Sequence, residues 1–338
     1  MNILSFWVGL DYHEDAIRVC VMNAEGITLA NRNCPNDVES VGELVWNYGE
    51  PSGIAVEACG GAAAFAHALQ QRYQWRVRLA HPGYVNRLKQ SPDKSDHDDA
   101  EILADLLRVD YLPEVWLPPV EILQLRRLVR YRQGQAAERK NIKQRIRALL
   151  REERMPRPNC NPWTKAWFQW VREDAPLLEQ ARWVMDQLLQ DLKRVEERIG
   201  ITEERMRSAT EHDATTLALL EQKGVGLVTA VTLRAEIGEF SRFRSGKQLA
   251  RFCTVTPLNS SSGKHQVEGG LVRQGNRELR RVVLEAAQRL ARYEPKWREL
   301  KQRLKCQGKP GAVAVAAVAN RWVRWLYHQM IETPVLAA

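Results

Sequence analysis

Four acids in the first third of the chain could do metal chemistry. Asp11 follows the apolar run Phe6-Trp-Val-Gly-Leu10, and Glu57 follows Ile54-Ala-Val56. Each stands at or near the end of a predicted strand, where an unpaired acid is expensive. Neighbouring strands with matched ends put such side chains side by side. Asp96 and Asp99 lie in Ser95-Asp-His-Asp-Asp-Ala100, at a predicted helix start. Their i, i+3 spacing places both on one helix face, and Asp98 is an alternative to Asp99 in this acidic run. Taken alone, Asp96 and Asp99 also read as an N-cap and a solvated first-turn acid. Four converging acids repel one another unless divalent cations neutralise them. Carboxylate oxygens suit Mg²⁺ or Mn²⁺. Two such ions, about 3.5–4 Å apart, activate a nucleophile and stabilise the leaving oxygen in phosphodiester cleavage.

A second group lies near the C-terminus. Ser260, Ser261 and Ser262 sit in Thr256-Pro-Leu-Asn-Ser-Ser-Ser-Gly-Lys264. Serines in a glycine-containing loop are ordinary turn chemistry. Here Lys264, Arg273, Arg277, Arg280 and Arg281 follow, and such cations could hold DNA phosphates around an attacking hydroxyl. No Ser-His-Asp spacing accompanies the cluster, and His265 reads as a loop residue. Upstream, Lys223-Gly-Val-Gly226 separates two helical patterns. Gly224 and Gly226 match a helix-hairpin-helix turn, whose backbone N–H groups contact a phosphate. The plainer reading is a glycine turn between packed helices.

The elements that must position these residues are legible in outline. Strands are expected at 5–10, 17–22, 27–33, 53–58 and 75–80, with helices from Asp37, over 62–72 and over 96–109. Three strands, then helix, strand, helix, strand, helix is the order of an α/β RNase H-like domain. A proline-bearing linker follows. From Ile122 to about Arg154 the pattern is helical, and between Arg126 and Arg151 there are ten Lys/Arg and one acid, Glu138. Arg126, Arg127, Arg130, Arg139, Lys140, Lys143 and Arg147 are its candidate nucleic-acid contacts. A Pro/Trp-rich break covers 156–170. From about Leu177 to Met206, apolar residues recur at 3 and 4 spacing, the seam of a coiled-coil hairpin or of a dimer contact. The last third reads as helical with glycine turns. Its final helix carries Trp322 and Trp325, which read as core. The expected domains are 1–115, 120–210 (basic helix and coiled-coil oligomerisation region) and 211–330 (mainly α-helical, with the glycine turn and serine cluster).

Charge divides along the same lines. Residues 1–118 carry 9 Lys/Arg against 17 Asp/Glu, and residues 119–338 carry 41 against 24. A polyanion partner for the basic two thirds follows naturally, although a merely soluble basic protein has the same balance. The six cysteines form no CxxC pair, so neither a zinc ribbon nor a disulfide framework is expected. No apolar run reaches the roughly 18 residues of a membrane span, and Met1-Asn-Ile3 lacks a basic leader. A cytoplasmic location is the expectation.

In order along the chain come Gly9-Leu-Asp11, Val56-Glu57-Ala58, Lys94-Ser-Asp96-His-Asp-Asp99-Ala100, Gly224-Val-Gly226 and Ser262-Gly263. As an ordered set they resemble the DEDD insertion-sequence transposases, relatives of the pilin-gene DNA invertase. The likeness spans nearly the whole chain, apart from 156–170. It implies a RuvC-like N-terminal domain whose tetrad, Asp11, Glu57, Asp96 and Asp99, binds Mg²⁺. It implies that Ser262 attacks DNA to form a covalent phosphoserine link. It further implies guidance by a bridge RNA that pairs with donor and target DNA. Self-association as dimers that pair into tetramers is also implied, one protomer's tetrad completing another's serine site, with exchange through a Holliday-junction-like intermediate. Two other readings compete. A RuvC-like junction resolvase or nuclease needs the tetrad but uses water in place of Ser262. A non-enzymatic DNA or RNA binder on a decayed RNase H fold needs neither, and the intact set of four acids argues against it. A covalent protein–DNA adduct separates the three.

Overall fold

The computed structural model describes residues 5–88, 96–259, 268–272 and 274–332. The chain divides into two compact units, residues 1–120 and 121–338.

The first unit is built on a mixed sheet. Its strands are β1 (Phe6–Tyr12), β2 (Ala16–Asn23), β3 (Thr28–Pro35), β4 (Gly53–Glu57), β5 (Val77–Ala80) and β6 (Glu114–Val115), in the order β3-β2-β1-β4-β5-β6. β1, β2 and β3 form an antiparallel meander, while β4 runs parallel to β1 and β5 parallel to β4. The helices are α1 (Val38–Trp46), α2 (Ala62–Tyr73), α3 (Pro82–Leu88) and α4 (Asp96–Arg108). Asp37 caps α1 by accepting from the Ser40 N–H at 2.6 Å, and these bonds hold its carboxyl below the usual value.

Alternation along the central strands separates the two faces. Val8 and Leu10 of β1, with Ile54 and Val56 of β4, pack on Val41, Val45, Ala66 and Leu69 of α1 and α2. The intervening residues face α4. There Ala55 joins Leu103 and Leu107, and Ala100 and Ala104 join Cys20 and Met22.

The second unit opens with α5 (Val120–Glu152), α6 (Lys165–Glu173) and α7 (Glu179–Ser208). α5 and α7 are antiparallel. Arg132 meets Glu203 at 2.7 Å, Gln135 accepts from Thr202 at 3.0 Å, Arg198 meets Glu138 at 2.8 Å and Lys143 meets Glu196 at 3.2 Å. Met185, Leu188, Leu192, Val195 and Ile199 are buried against Ile142 and Ile146 of α5 and Trp167 and Val171 of α6. From Met185 to Ile199 the heptad seam is therefore covered within one chain, while Leu178 at its start is exposed. No second copy is needed to bury the covered side chains. α6 begins inside the stretch 156–170, which the sequence presents as a Pro/Trp-rich break, and runs past its end to Glu173. Thr164 starts it by accepting from the Trp167 N–H at 3.3 Å. Leu188→Ala is expected to cost about 2–5 kcal/mol of stability, the range for a buried leucine that leaves a cavity. Denaturant unfolding reads the loss directly. A drop in solution mass with unchanged stability would instead place the seam at an interface.

The rest of the unit is α8 (Ala214–Leu220), α9 (Leu227–Ile237), α10 (Gly246–Phe252), the hairpin β7 (Pro257–Asn259) and β8 (Glu268–Leu271), α11 (Arg277–Tyr293), α12 (Pro295–Cys306) and α13 (Gly311–Glu332). Trp322, fully buried, sits in a core with Leu233, Leu249, Leu279, Val283 and Leu326. This part is mainly helical, and the hairpin is an addition to the helices and glycine turns expected there. Its residues, Pro-Leu-Asn and Glu-Gly-Gly-Leu, are too short and glycine-rich to show strand alternation.

Candidate functional site

Asp11 and Glu57 sit on adjacent parallel strands. Leu10 pairs in register with Val56, so the next residue of each strand is one of these acids. Both fall on the face that α4 covers. Asp11 is only 6% exposed, and His13 Nε2 lies 3.0 Å from its Oδ2. Cys59, just beyond β4, has its thiol raised above the ordinary value by burial, and further by the Glu57 and Asp11 carboxylates. That effect on a common neighbour marks a locally negative strand end.

Gly9 determines how α4 approaches. A Cβ at Gly9 would lie 1.9 Å from the Ala100 carbonyl oxygen and 2.6 Å from the Ala104 nitrogen. Only glycine lets the helix backbone come this close to β1. The direction of α4 follows from its other contacts. Leu107 lies against Gly53, which pairs with Trp7 near the start of β1. Arg108 donates to the Ala24 carbonyl at 3.0 Å, in the β2–β3 turn. The C-terminal end of α4 thus lies at the amino end of β1, and its first turn, which carries Asp96 and Asp99, lies toward the carboxyl ends of β1 and β4. The side chains of Asp96 and Asp98 are outside the described residues. Among the described residues, no group of three or more His, Cys, Asp or Glu is spaced to hold a metal ion.

His13 has no part in the sequence motifs, and Gly9 stands in the motif Gly9-Leu-Asp11 without a stated role. The signal for His13 was its place two residues after Asp11. The signal for Gly9 was a glycine inside a buried strand, which marks close backbone approach.

In the second unit, Ser260, Ser261, Ser262, Lys264 and Arg273 lie outside the described residues. The frame around that segment is well defined. β7 and β8 flank it, and Val272 N–H bonds to the Thr256 carbonyl at 3.2 Å. Arg280 donates to Thr254 Oγ1 at 2.7 Å and to the Val272 carbonyl. Asn320 donates to the Val255 carbonyl at 3.2 Å. Asn276 caps α11, accepting from Glu278 and Leu279 N–H at 3.0 Å. Arg280 therefore braces the hairpin from inside and is engaged within the chain. Arg281 is likewise held by Glu278 and Glu285, both at 2.8 Å. Arg277 is exposed.

The basic helix divides in the same way. Arg126 donates to the Ala235 carbonyl at 2.8 Å and the Glu236 carbonyl at 3.3 Å, and burial lowers its pKa. It is a packing residue. Lys143 pairs with Glu196 and lies 4.9 Å from the Trp163 ring centre, and Arg147 caps the same ring at 5.3 Å. Arg139 is half-buried, while Arg127, Arg130, Lys140 and Arg147 are exposed. The glycine turn connects α8 to α9. Gly224 has φ +79°, a conformation that favours glycine, and Gly226 occupies the N-cap of α9. Among the described residues, no helix is long and apolar enough to cross a membrane.

A family model described as "Transposase", of the IS110 DEDD type, matches residues 8–155, the stretch from β1 through α5. A second, "Transposase IS116/IS110/IS902 family", matches residues 217–302, which include the glycine turn, the serine hairpin and α11. A "Probable family 20 transposase" of Pseudomonas aeruginosa is 26% identical over 82% of this chain and 83% of its own length. The "Transposase for insertion sequence element IS1111A" of Coxiella burnetii is 24% identical over 96% of this chain and 90% of its own. Both matched models are of the IS110 family and both relatives are named as transposases, and the chain belongs to the IS110 family of DEDD transposases.

Proposed function

We propose that this transposase cuts and rejoins DNA through a carboxylate centre at the ends of β1 and β4 and a serine nucleophile in the β7–β8 loop. The observation that carries the reading is the shared strand end, with Asp11 and Glu57 on one sheet face and the first turn of α4 directed to it. The strand order, an antiparallel meander followed by two parallel strands, supports an RNase H-like, RuvC-like assignment for this unit. The donor set is chemically suited to a hard divalent cation, because a buried carboxylate beside a second, half-buried one needs a counter-charge. Asp11, Glu57, Asp96 and Asp99 would hold Mg²⁺, with Mn²⁺ as substitute, and the ion would supply Lewis-acid stabilisation at a phosphoryl oxygen.

The chain's own groups do the rest. Asp11 and Glu57 concentrate negative charge at the strand ends, and His13 orients the Asp11 carboxylate. Ser262 is the nucleophile by motif match, with Ser260 and Ser261 beside it. Its oxygen would bond to phosphorus as the bond from phosphorus to a sugar oxygen breaks, the serine's proton ending on that leaving oxygen as a hydroxyl, and the phosphoserine ester would preserve the bond energy for rejoining. Arg277 and the loop cations Lys264 and Arg273 would hold flanking phosphates. Guidance by a bridge RNA, with donor and target DNA as the other partners, belongs to the same reading, and the excess of cations over residues 119–338 supports it. So does self-association as a dimer or tetramer. Mixing Ser262→Ala protein with Asp11→Ala protein then restores partial activity, and no recovery in any ratio would argue for a site within one protomer.

The outward cations of α5 test the binding part. Arg127, Arg130, Lys140 and Arg147 changed together to Gln are expected to flatten the dependence of log affinity on log salt. The change is about 0.9 per lost phosphate contact on duplex DNA and about 0.7 on a single strand. An unchanged slope would remove α5 from the interface.

A further inference from the structure

An open cleft of about 780 Å³ lies between α11, α12 and the start of α13. Its walls carry Arg289, Arg292, Lys301 and Lys305 against one acid, Glu285. Glu285 is already engaged, by Arg281 at 2.8 Å and by Arg289 at 3.7 Å. Among the described residues, Arg292, Lys301 and Lys305 have no ion-pair partner. The cleft therefore faces solvent with uncompensated positive charge.

Tyr293 lines the same cleft and is 59% exposed. The Arg292 guanidinium lies 5.7 Å from its ring centre. An aromatic ring held in solvent beside cations is the pairing that binds unstacked bases: the ring takes a base face and the cations take the flanking phosphates. Small apolar residues, Ala312 and Val315, complete the lining, so there is room for a flat ring. A duplex keeps its base faces stacked and offers none to Tyr293.

The cleft also adjoins the glycine turn. Arg289 Nη1 donates to the Gly224 carbonyl at 3.0 Å, and a Cβ at Gly224 would lie 3.3 Å from Arg289 Cβ. A strand whose phosphate meets the turn can continue directly into the cleft.

We propose that this cleft holds an unstacked nucleotide of a single-stranded segment, its base on Tyr293 and its flanking phosphates on Arg292, Lys301 and Lys305. The inference rests on the nucleic-acid reading above and adds the strand form and the seat. DNA and RNA share the recognising chemistry, so both are probed.

The full-length protein is titrated with fluorescent single-stranded DNA, single-stranded RNA of the same sequence, and duplex DNA. Tyr293→Leu is expected to weaken single-strand binding about tenfold, while Tyr293→Phe, which keeps the ring, retains it. Lys301→Gln with Lys305→Gln is expected to lower the single-strand salt slope by about 0.7 per phosphate released. Duplex affinity changes little in each variant. A loss confined to RNA or to DNA supports the proposal and identifies the strand that occupies the cleft. Unchanged single-strand binding in Tyr293→Leu and in the double variant overturns it. Equal losses on duplex and single strand also overturn it, since they describe a general electrostatic surface. A wild-type protein that binds none of the three probes overturns the nucleic-acid reading itself. All these side chains lie at the surface, and matching thermal melts confirm that each variant is folded.

Discussion

Asp11→Asn is expected to reduce DNA strand cleavage by about three orders of magnitude while leaving the thermal midpoint unchanged or raised. The reasoning combines burial with charge. Asp11 is 6% exposed and stands one residue before the end of β1, beside the strand that ends in Glu57. A buried carboxylate and a half-buried one on neighbouring strand ends repel, and the buried Asp11 pays desolvation. Removing one charge relieves that repulsion in the ion-free protein. The amide keeps the shape of the carboxylate and a hydrogen-bonding atom for His13. In the proposed site, Asp11 would be a ligand of the divalent cation, its loss would remove several kcal/mol of transition-state stabilisation, and each 1.36 kcal/mol is tenfold in rate. Cleavage assays with Mg²⁺, set beside a calorimetric melt, read both halves. A large fall in melting temperature would make Asp11 a structural residue. Retained cleavage would remove it from the reacting centre.

The second large effect is expected at a residue with no chemistry of its own. Gly9→Val should lower stability by about 1–3 kcal/mol or more, the usual cost of overpacking, and should also suppress cleavage. The Cβ alone meets the Ala100 oxygen at 1.9 Å and the Ala104 nitrogen at 2.6 Å. Both are helix backbone atoms, so no rotamer change relieves the clash and α4 must move as a body. The first turn of that helix carries Asp96 and Asp99. Gly53→Ala is the control, since a Cβ there finds only ordinary contact, 3.4 Å from a Leu107 methyl. It should melt much closer to wild type and keep its activity. Equal behaviour of the two variants would show that the β1–α4 approach does not position the acids.

Five of the sheet's six strands are legible because they alternate or run apolar, while β6 falls in the stretch read as a proline-bearing linker. β1 was expected to end at Asp11 and extends one residue further, to Tyr12. The α4 boundaries were nearly right because Asp96 opens a sharply amphipathic segment. The seam on α7 was legible as a periodicity, but periodicity does not say what covers a face. Ile142 and Ile146 on α5 and Trp167 on α6 cover it, and the two isoleucines are obscured by the density of charge around them. For the same reason the basic helix looked uniform. Arg126 and Arg147 are alike in sequence, yet one donates to buried carbonyls and the other is exposed. Arg280 shows the same limit: its partners, Thr254 and Val272, are brought to it by a hairpin of glycine and proline that carries no strand signal.

The central claim is that this IS110-family transposase breaks DNA through a serine ester that depends on the carboxylate centre. Trapping that ester tests it most directly. The full-length protein is incubated with end-labelled element DNA, Mg²⁺ and the element's own transcribed RNA, then quenched early and run on a denaturing gel. The wild type is expected to yield a protein-linked DNA band that protease removes. That band should be absent from Ser262→Ala and from Asp11→Asn, and present in Ser260→Ala and Ser261→Ala. Cleaved DNA with no protein-linked band at any time, in a wild type that remains active, would contradict the account and leave a water-attacking nuclease in its place.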